Sequence, residues 1–205
     1  MLHHGARGFC KKVTLRNEYI MTKKELRILA KNIRSEIFNR TDKTKAFETL
    51  LLEYIVDSKT LHNNSELIVG MYVPIYNEIE LPLYTDQFQI ALPVIRSKTN
   101  LEFYAWDKDE KLVRRDFDIP VPDTRFKSPV IPDILCMPLL FCDKNGTRLG
   151  YGAGHYDRYI SGFDEKPLCI GACFDEQVYK DNLPNEPHDQ KLDLIITPSR
   201  IITIK

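Results

Sequence analysis

Apolar positions along this chain follow two different periods. Leu26, Leu29, Ile33 and Ile37 recur at helical spacing. Thr22 and Glu25 just ahead of them form the S/T-x-x-E box that satisfies free N–H groups at a helix start. Lys23, Arg27, Lys31 and Arg34 line another face of this helix, which reads as solvated, with only its first turn a candidate for chemistry. A second helix is expected over about 43–56, with Phe47, Leu50, Leu51, Tyr54 and Ile55 inward. The pattern then shortens to runs rich in β-branched and aromatic residues, which predict strands over 67–73, 89–94 and 101–106.

Residues 107–132 are charged and then carry Pro120, Pro122, Pro129 and Pro132, as expected of a surface excursion. The continuous apolar run 134–141 predicts a strand buried on both faces. A glycine-rich turn follows it, then a helix over about 152–161 and strands over 168–174, 192–197 and 201–204. Buried strands alternating with helices argue an α/β fold with a largely parallel sheet covered on both faces.

Composition narrows the class. The chain has 205 residues, a formal net charge of zero and 43% hydrophobic residues, which fits one globular domain. Zero net charge gives no field for nonspecific nucleic-acid binding, so nucleic acid is not an expected partner. No run approaches the roughly 18 apolar residues that span a membrane. The cysteines at 10, 136, 142, 169 and 173 are odd in number and lack C-x-x-C or metal spacing. They fit free thiols in a reducing, cytoplasmic setting. Residues 1–20 are basic without an apolar run and read as a dispensable extension, with the domain proper over 21–205.

The candidate chemistry lies in the turn after the 134–141 strand. Residues 143–158 read Asp-Lys-Asn-Gly-Thr-Arg-Leu-Gly-Tyr-Gly-Ala-Gly-His-Tyr-Asp-Arg. Glycines let backbone approach a phosphate, and the following helix start offers unpaired N–H groups. Arg148 adds a fork-shaped donor. Neither the Walker A nor the dinucleotide fingerprint fits. Spacing alone therefore leaves a phosphate loop and a plain strand-to-helix turn both open. Asp157 and Asp193 flank the turn and suit a nucleotide-bound magnesium, although each also reads as a structural acid. Glu78 and Glu80 follow the first strand, where α/β sheets bind ligands or simply turn in solvent. His155 and His188 have no visible partner and carry no proton-transfer expectation.

Arg148-Leu-Gly-Tyr-Gly-Ala-Gly-His-Tyr-Asp157, preceded by Phe141-x-Asp143-x-x-Gly146, resembles the signature of 5-formyltetrahydrofolate cyclo-ligases. Lys23-x-x-Leu-Arg27, Asn77-Glu-Ile-Glu80, Phe117-Asp-Ile-Pro120 and His188-Asp-x-x-Leu-Asp-Leu-Ile-Ile-Thr197 resemble further segments of that family in the same order. The resemblance implies a three-layer α/β/α sandwich like that of sugar-phosphate isomerases and CoA transferases. It implies conversion of 5-formyltetrahydrofolate and ATP to 5,10-methenyltetrahydrofolate, ADP and phosphate, with Mg2+ as cofactor; separately from the resemblance, a monomer is expected. Lys23, Arg27, Arg148, Leu149, Gly150, Tyr151, Gly152, Ala153, Gly154, His155 and Tyr156 then fall at nucleotide positions, with Arg148 and Tyr156 at the chemistry. Val73, Glu78, Phe117, Tyr151 and His155 fall at folate positions, and Asp157 and Asp193 at magnesium. Some family members carry lysine at the Ala153 position and tyrosine at the His155 position. The alternatives are a sugar-phosphate isomerase or CoA transferase relative without ATP, and a folate- or nucleotide-binding module without activity.

Overall fold

The computed structural model describes residues 21–62, 66–114 and 119–205. The expected extension 1–20 and Phe117 lie outside the described residues. The chain runs α1 (Lys23–Ser35), α2 (Arg40–His62), β1 (Ile68–Gly70), β2 (Gln89–Ile95) and β3 (Leu101–Trp106). A small ribbon follows, β4 (Val113–Arg114) and β5 (Pro120–Val121), then β6 (Ile134–Pro138), β7 (Phe141–Asp143), β8 (Arg148–Leu149) and α3 (His155–Ile160). The chain closes with β9 (Leu168–Ala172), a single 3-10 turn (Asp175–Gln177), β10 (Val178–Tyr179), β11 (Leu194–Ile196) and β12 (Ile201–Thr203).

The main sheet is mixed, with seven strands in the order β12-β11-β9-β6-β1-β2-β3. Its five central strands, β11, β9, β6, β1 and β2, run parallel, and β3 and β12 pair antiparallel at the two edges. The alternation read from the sequence therefore gives an α/β fold with antiparallel edges. Helix α2 lays Phe47, Leu51 and Ile55 on one face, against Val69, Ile90, Cys136, Ile170 and Ile196. Helix α3 lays Tyr156, Tyr159 and Ile160 on the other, among Phe103, Leu135, Met137, Cys169 and Ile195. At Gly70 a Cβ would stand 2.5 Å from a Leu135 methyl, so this strand position admits no side chain without a shift.

The expected strand 134–141 is broken in two. β6 stays in the main sheet, while β7 leaves it to pair with β8 and β10 in a separate three-stranded sheet. Side chains satisfy carbonyls at the break: Gln177 Nε2 donates to the oxygens of Leu139 and Leu140 at 3.0 Å each. Helix α1 covers this second sheet, burying Leu26 and Ala30 against Leu140, Phe141, Leu149 and Leu183. Its Thr22–Glu25 capping box is formed as the sequence predicts.

From β1 the chain goes first to its parallel neighbour β2 and later returns to its other parallel neighbour, β6. This reversal of strand order is a topological switch point, and ligands of open α/β sheets bind in the crevice beyond the carboxyl ends there.

Candidate active site

Three segments meet beyond the carboxyl ends of β1 and β6: the turn after β1, the glycine loop after β8, and α1. The turn after β1 places Tyr76 and Asn77 at positive φ (47° and 61°) and carries the buried Glu78. One Glu78 oxygen, Oε2, accepts the Ile75 N–H at 3.0 Å. The other, Oε1, is buried with no hydrogen-bond partner among the described residues, and Arg34 Nη1 stands 3.8 Å from it. Burial raises the Glu78 carboxyl above the usual range, opposed by the Ile75 N–H and by Arg34. Val73 is half-buried on the same segment and packs against the core beside α2. A cavity of about 260 Å³ opens here between Glu78, Glu80 and the first turns of α2, with Arg40 and Lys45 on its wall.

The glycine loop is built on Asp143. Its carboxylate is fully buried and accepts the N–H groups of Asn145 at 2.9 Å, Thr147 at 3.0 Å and Leu183 at 2.8 Å. That anchor fixes the β7–β8 turn and hence the exit of the chain at Leu149. Gly152 (φ 105°) and Gly154 (φ 67°) then take conformations that disfavour other residues. Gly154 caps α3 without any side-chain cap, so the first-turn N–H groups of that helix look back into the loop.

Helix α1 supplies cations to the loop and to the segment before β11. Lys23 Nζ lies 2.7 Å from Asp189 Oδ2 and 3.1 Å from Glu186 Oε2. Arg27 Nε donates to the Gly150 carbonyl at 2.9 Å, and its guanidinium lies 3.1 Å from where a Gly152 Cβ would stand. Arg34 Nη2 donates to the Tyr151 hydroxyl. The stripe read as solvated thus turns toward the loop, and Arg34 is only 2% exposed. Only the covering segments decide that burial, and they lie more than 100 residues away in the chain.

Arg148 is folded back under the loop. Its Nη2 donates to Asp157 Oδ1 at 3.0 Å, its guanidinium lies 5.7 Å from the Tyr156 ring centre, and its Nε is buried without a hydrogen-bond partner among the described residues. Burial, and secondarily Glu78, raise the Tyr156 phenol well above its ordinary value, so it is an O–H donor throughout the physiological range. His155 Nδ1 is likewise buried and unpartnered among the described residues. Burial and then Arg158 lower its imidazole below the ordinary value, so the ring is neutral at pH 7. Leu149 is buried in the core beneath α1, while Tyr151, Gly152 and Ala153 are exposed on the loop.

Asp157 and Asp193 are not brought together through any shared partner. Asp157 Oδ1 accepts from Arg148 and from the Gln190 N–H at 3.1 Å, beside the loop. Asp193 sits at the opposite, amino end of the parallel strands. There its two oxygens take Lys166 Nζ at 2.7 Å and the Cys169 N–H at 2.8 Å, tying the start of β9 to the start of β11. Asp189, the residue before Gln190, lies in a cluster with Glu186 and His188 whose ligand atoms lie within 4.8 Å of one another. Asp189 is the first acid of the His188-Asp-x-x-Leu-Asp193 run, four residues before Asp193. A second cavity, of about 510 Å³, lies behind the Asp143 turn among Lys144, Asn145, Asn182 and Lys191, and none of the loop residues 148–157 lines it.

A glycine loop opening a helix, with Arg27 on one side and Arg148 beneath it, and set at a sheet switch point, defines an α/β protein with a site suited to a phosphorylated ligand. Residues 20–198 match the model of the 5-formyltetrahydrofolate cyclo-ligase family. The 5-formyltetrahydrofolate cyclo-ligase of Mycoplasma genitalium is 29% identical over 152 residues, covering 71% of this chain and 78% of that protein. The fold is similar to that of a 5,10-methenyltetrahydrofolate synthetase from Aquifex aeolicus, with TM-score 0.70 and 23% identity over 90% of this chain and 94% of the other. A synthetase of the same description from Mycoplasma pneumoniae gives TM-score 0.67 and 21% identity, covering 87% and 99%. The chain belongs to the 5-formyltetrahydrofolate cyclo-ligase family.

Proposed function

We infer that this protein converts 5-formyltetrahydrofolate to 5,10-methenyltetrahydrofolate at the expense of ATP. The observation that carries this reading is the meeting of Glu78, an acid with a free buried oxygen, and the Arg148–Tyr156 phosphate loop at one switch point. The first fits a ligand rich in N–H donors, and the second fits a polyphosphate.

In the reading, Lys23, Arg27, Arg148 and the loop amides from Leu149 to Tyr156 hold the triphosphate, and Val73, Glu78, Tyr151 and His155 border the folate. Phe117 belongs to the same folate set on the strength of the resemblance alone. The formyl oxygen attacks the terminal phosphorus and ADP leaves. The neighbouring folate nitrogen then attacks the formyl carbon, and the former formyl oxygen departs as part of inorganic phosphate. The protein positions reactants and neutralises charge, so no nucleophilic side chain is required. Arg148 and the Tyr156 O–H are the groups closest in character to that task.

The residues fit a magnesium ion, which takes one or two carboxylates with phosphate oxygens. Asp157 and Asp189 would hold it, with Asp193 kept as a strand tie, and it would neutralise phosphate charge when bound. The helix on each sheet face supports the three-layer sandwich implied by the resemblance to sugar-phosphate isomerases and CoA transferases. A cytoplasmic monomer is part of the same proposal.

The test mixes the protein with 5-formyltetrahydrofolate and Mg-ATP. A near-ultraviolet absorbance from the conjugated amidinium product should rise with an equal amount of ADP. A folded sample that forms neither product sinks the reading.

A further inference from the structure

Arg34 stands in no motif of the loop signature, and its side chain is 3% exposed. Burying a guanidinium is costly unless each of its faces is answered. Here the answers come from three separate segments. Nη1 donates to the Leu139 carbonyl at 3.3 Å, just past β6. Nη2 donates to the Tyr151 hydroxyl on the glycine loop. Glu78 Oε1 lies 3.8 Å from Nη1, across the turn after β1. Arg40 Nη1 in turn donates to the Arg34 carbonyl at 3.0 Å, which pins the C-terminal end of α1.

The contact with Glu78 is too long for a hydrogen bond. Oε1 is left buried, near the Arg34 cation and the Tyr151 hydroxyl but without a partner at hydrogen-bond geometry among the described residues, while Oε2 is committed to the backbone. A buried carboxylate oxygen in that state needs a donor to complete it. The Tyr151 ring beside it lies between Lys31 and Arg34, each 5.6 Å from the ring centre, and 6.0 Å from the Tyr76 ring. The exposed Tyr76 and Tyr151 rings beside a free acceptor fit a flat heteroaromatic ligand that offers N–H groups at its edge.

We propose that Arg34 is a positioning residue for the formylfolate: it holds Glu78 Oε1 and the Tyr151 ring in register for the pteridine, without touching the nucleotide. This rests on the function proposed above and adds a residue to it. Loss of Arg34 should act on the folate KM alone, because Arg27 and Arg148 hold the loop through other partners.

Steady-state rates are measured for Arg34→Lys, Arg34→Met, Glu78→Gln and the double variant Arg34→Met/Glu78→Gln, varying each substrate at saturating levels of the other. For Arg34→Met the KM for 5-formyltetrahydrofolate should rise on the order of 30-fold, with the KM for ATP within about threefold of wild type. Arg34→Lys keeps the charge without the fork and should recover part of the loss. The double variant should be no worse than Glu78→Gln by more than about threefold, because both act through one carboxylate. Equal rises in both KM values, fully additive losses, or no change in the folate KM would each overturn the role. If Arg34→Met does not fold, judged by its melting curve, Tyr151→Phe removes one partner alone. It should raise the folate KM about fivefold and leave ATP-induced thermal stabilisation intact; an unchanged folate KM there overturns the role equally. A wild-type protein that makes no methenyl product rejects the proposed function itself, which is a separate outcome.

Discussion

Arg148 closes on Asp157, with Nη2 3.0 Å from Oδ1, and the same oxygen takes the Gln190 N–H. One carboxylate thus joins the loop, the first turn of α3 and the segment that carries Asp189. Both side chains are mostly buried, at 7% and 15% exposed. Asp157→Asn keeps the shape and leaves the guanidinium without its counter-charge. Breaking such a pair should destabilise the fold on the order of 3 kcal/mol. Turnover should fall, and the magnesium concentration for half-maximal rate should rise. Urea unfolding and a magnesium titration of the initial rate check the two effects; unchanged magnesium dependence would move the metal away from Asp157.

Arg148→Lys retains a positive charge but gives up the fork that reaches Asp157 while lying over Tyr156. Turnover should drop on the order of tenfold or more, and further in Arg148→Ala. Wild-type rates in both variants would make Arg148 a packing residue only.

Gly152 has φ 105°, and an added Cβ would press on the Arg27 guanidinium at 3.1 Å. Gly152→Ala should cost about 1–2 kcal/mol of backbone strain and displace Arg27 from the Gly150 carbonyl. The KM for ATP should rise more than the KM for the folate. Initial rates with each substrate varied give the comparison, and equal effects would argue against a nucleotide-side loop.

His155 holds its proton less tightly in the folded protein than in the unfolded chain, because burial and Arg158 lower its imidazole. A depressed folded value means that its stabilising contribution is full above about pH 6.5 and is lost as pH falls toward the folded value. Wild-type melting temperature should therefore fall more steeply from pH 7.5 to pH 5.5 than that of His155→Gln. Parallel curves would show that His155 does not couple to folding.

Met21 packs against the cluster formed by α1 and the second sheet, and the capping box starts at Thr22. A chain beginning at Met21 should match the full chain in turnover and melt within about 2 °C of it. A large loss of either would give residues 1–20 a role.

The elements were legible where a local rule decides them. Thr22 and Glu25 announce α1, and the glycines announce a strand-to-helix turn whichever ligand it serves. The break after Pro138 was not legible, since Leu139 and Leu140 are as apolar as the strand before them and only Gln177 and Arg34 reveal why pairing stops. Arg34 looked solvated because helical spacing shows which residues share a face and says nothing of what covers it. Which cation each of Asp189 and Asp193 meets was equally closed to the sequence. Four residues apart in one run, one pairs with Lys23 and the other with Lys166.

The placement of α1 has a consequence for how the protein is made. Its cations come from the first described helix, yet Arg27 meets a residue 123 positions later and Lys23 one 166 positions later. During synthesis the helix leaves the ribosome long before its partners do. The loop's positive wall can close only when nearly the whole chain has emerged, and closing loops of that length is an entropic cost that slows folding. Nascent chains arrested short of residue 189 should therefore lack the Lys23–Asp189 link even with β1 to β9 already synthesised, so competence would arrive as a late, single step rather than growing with chain length.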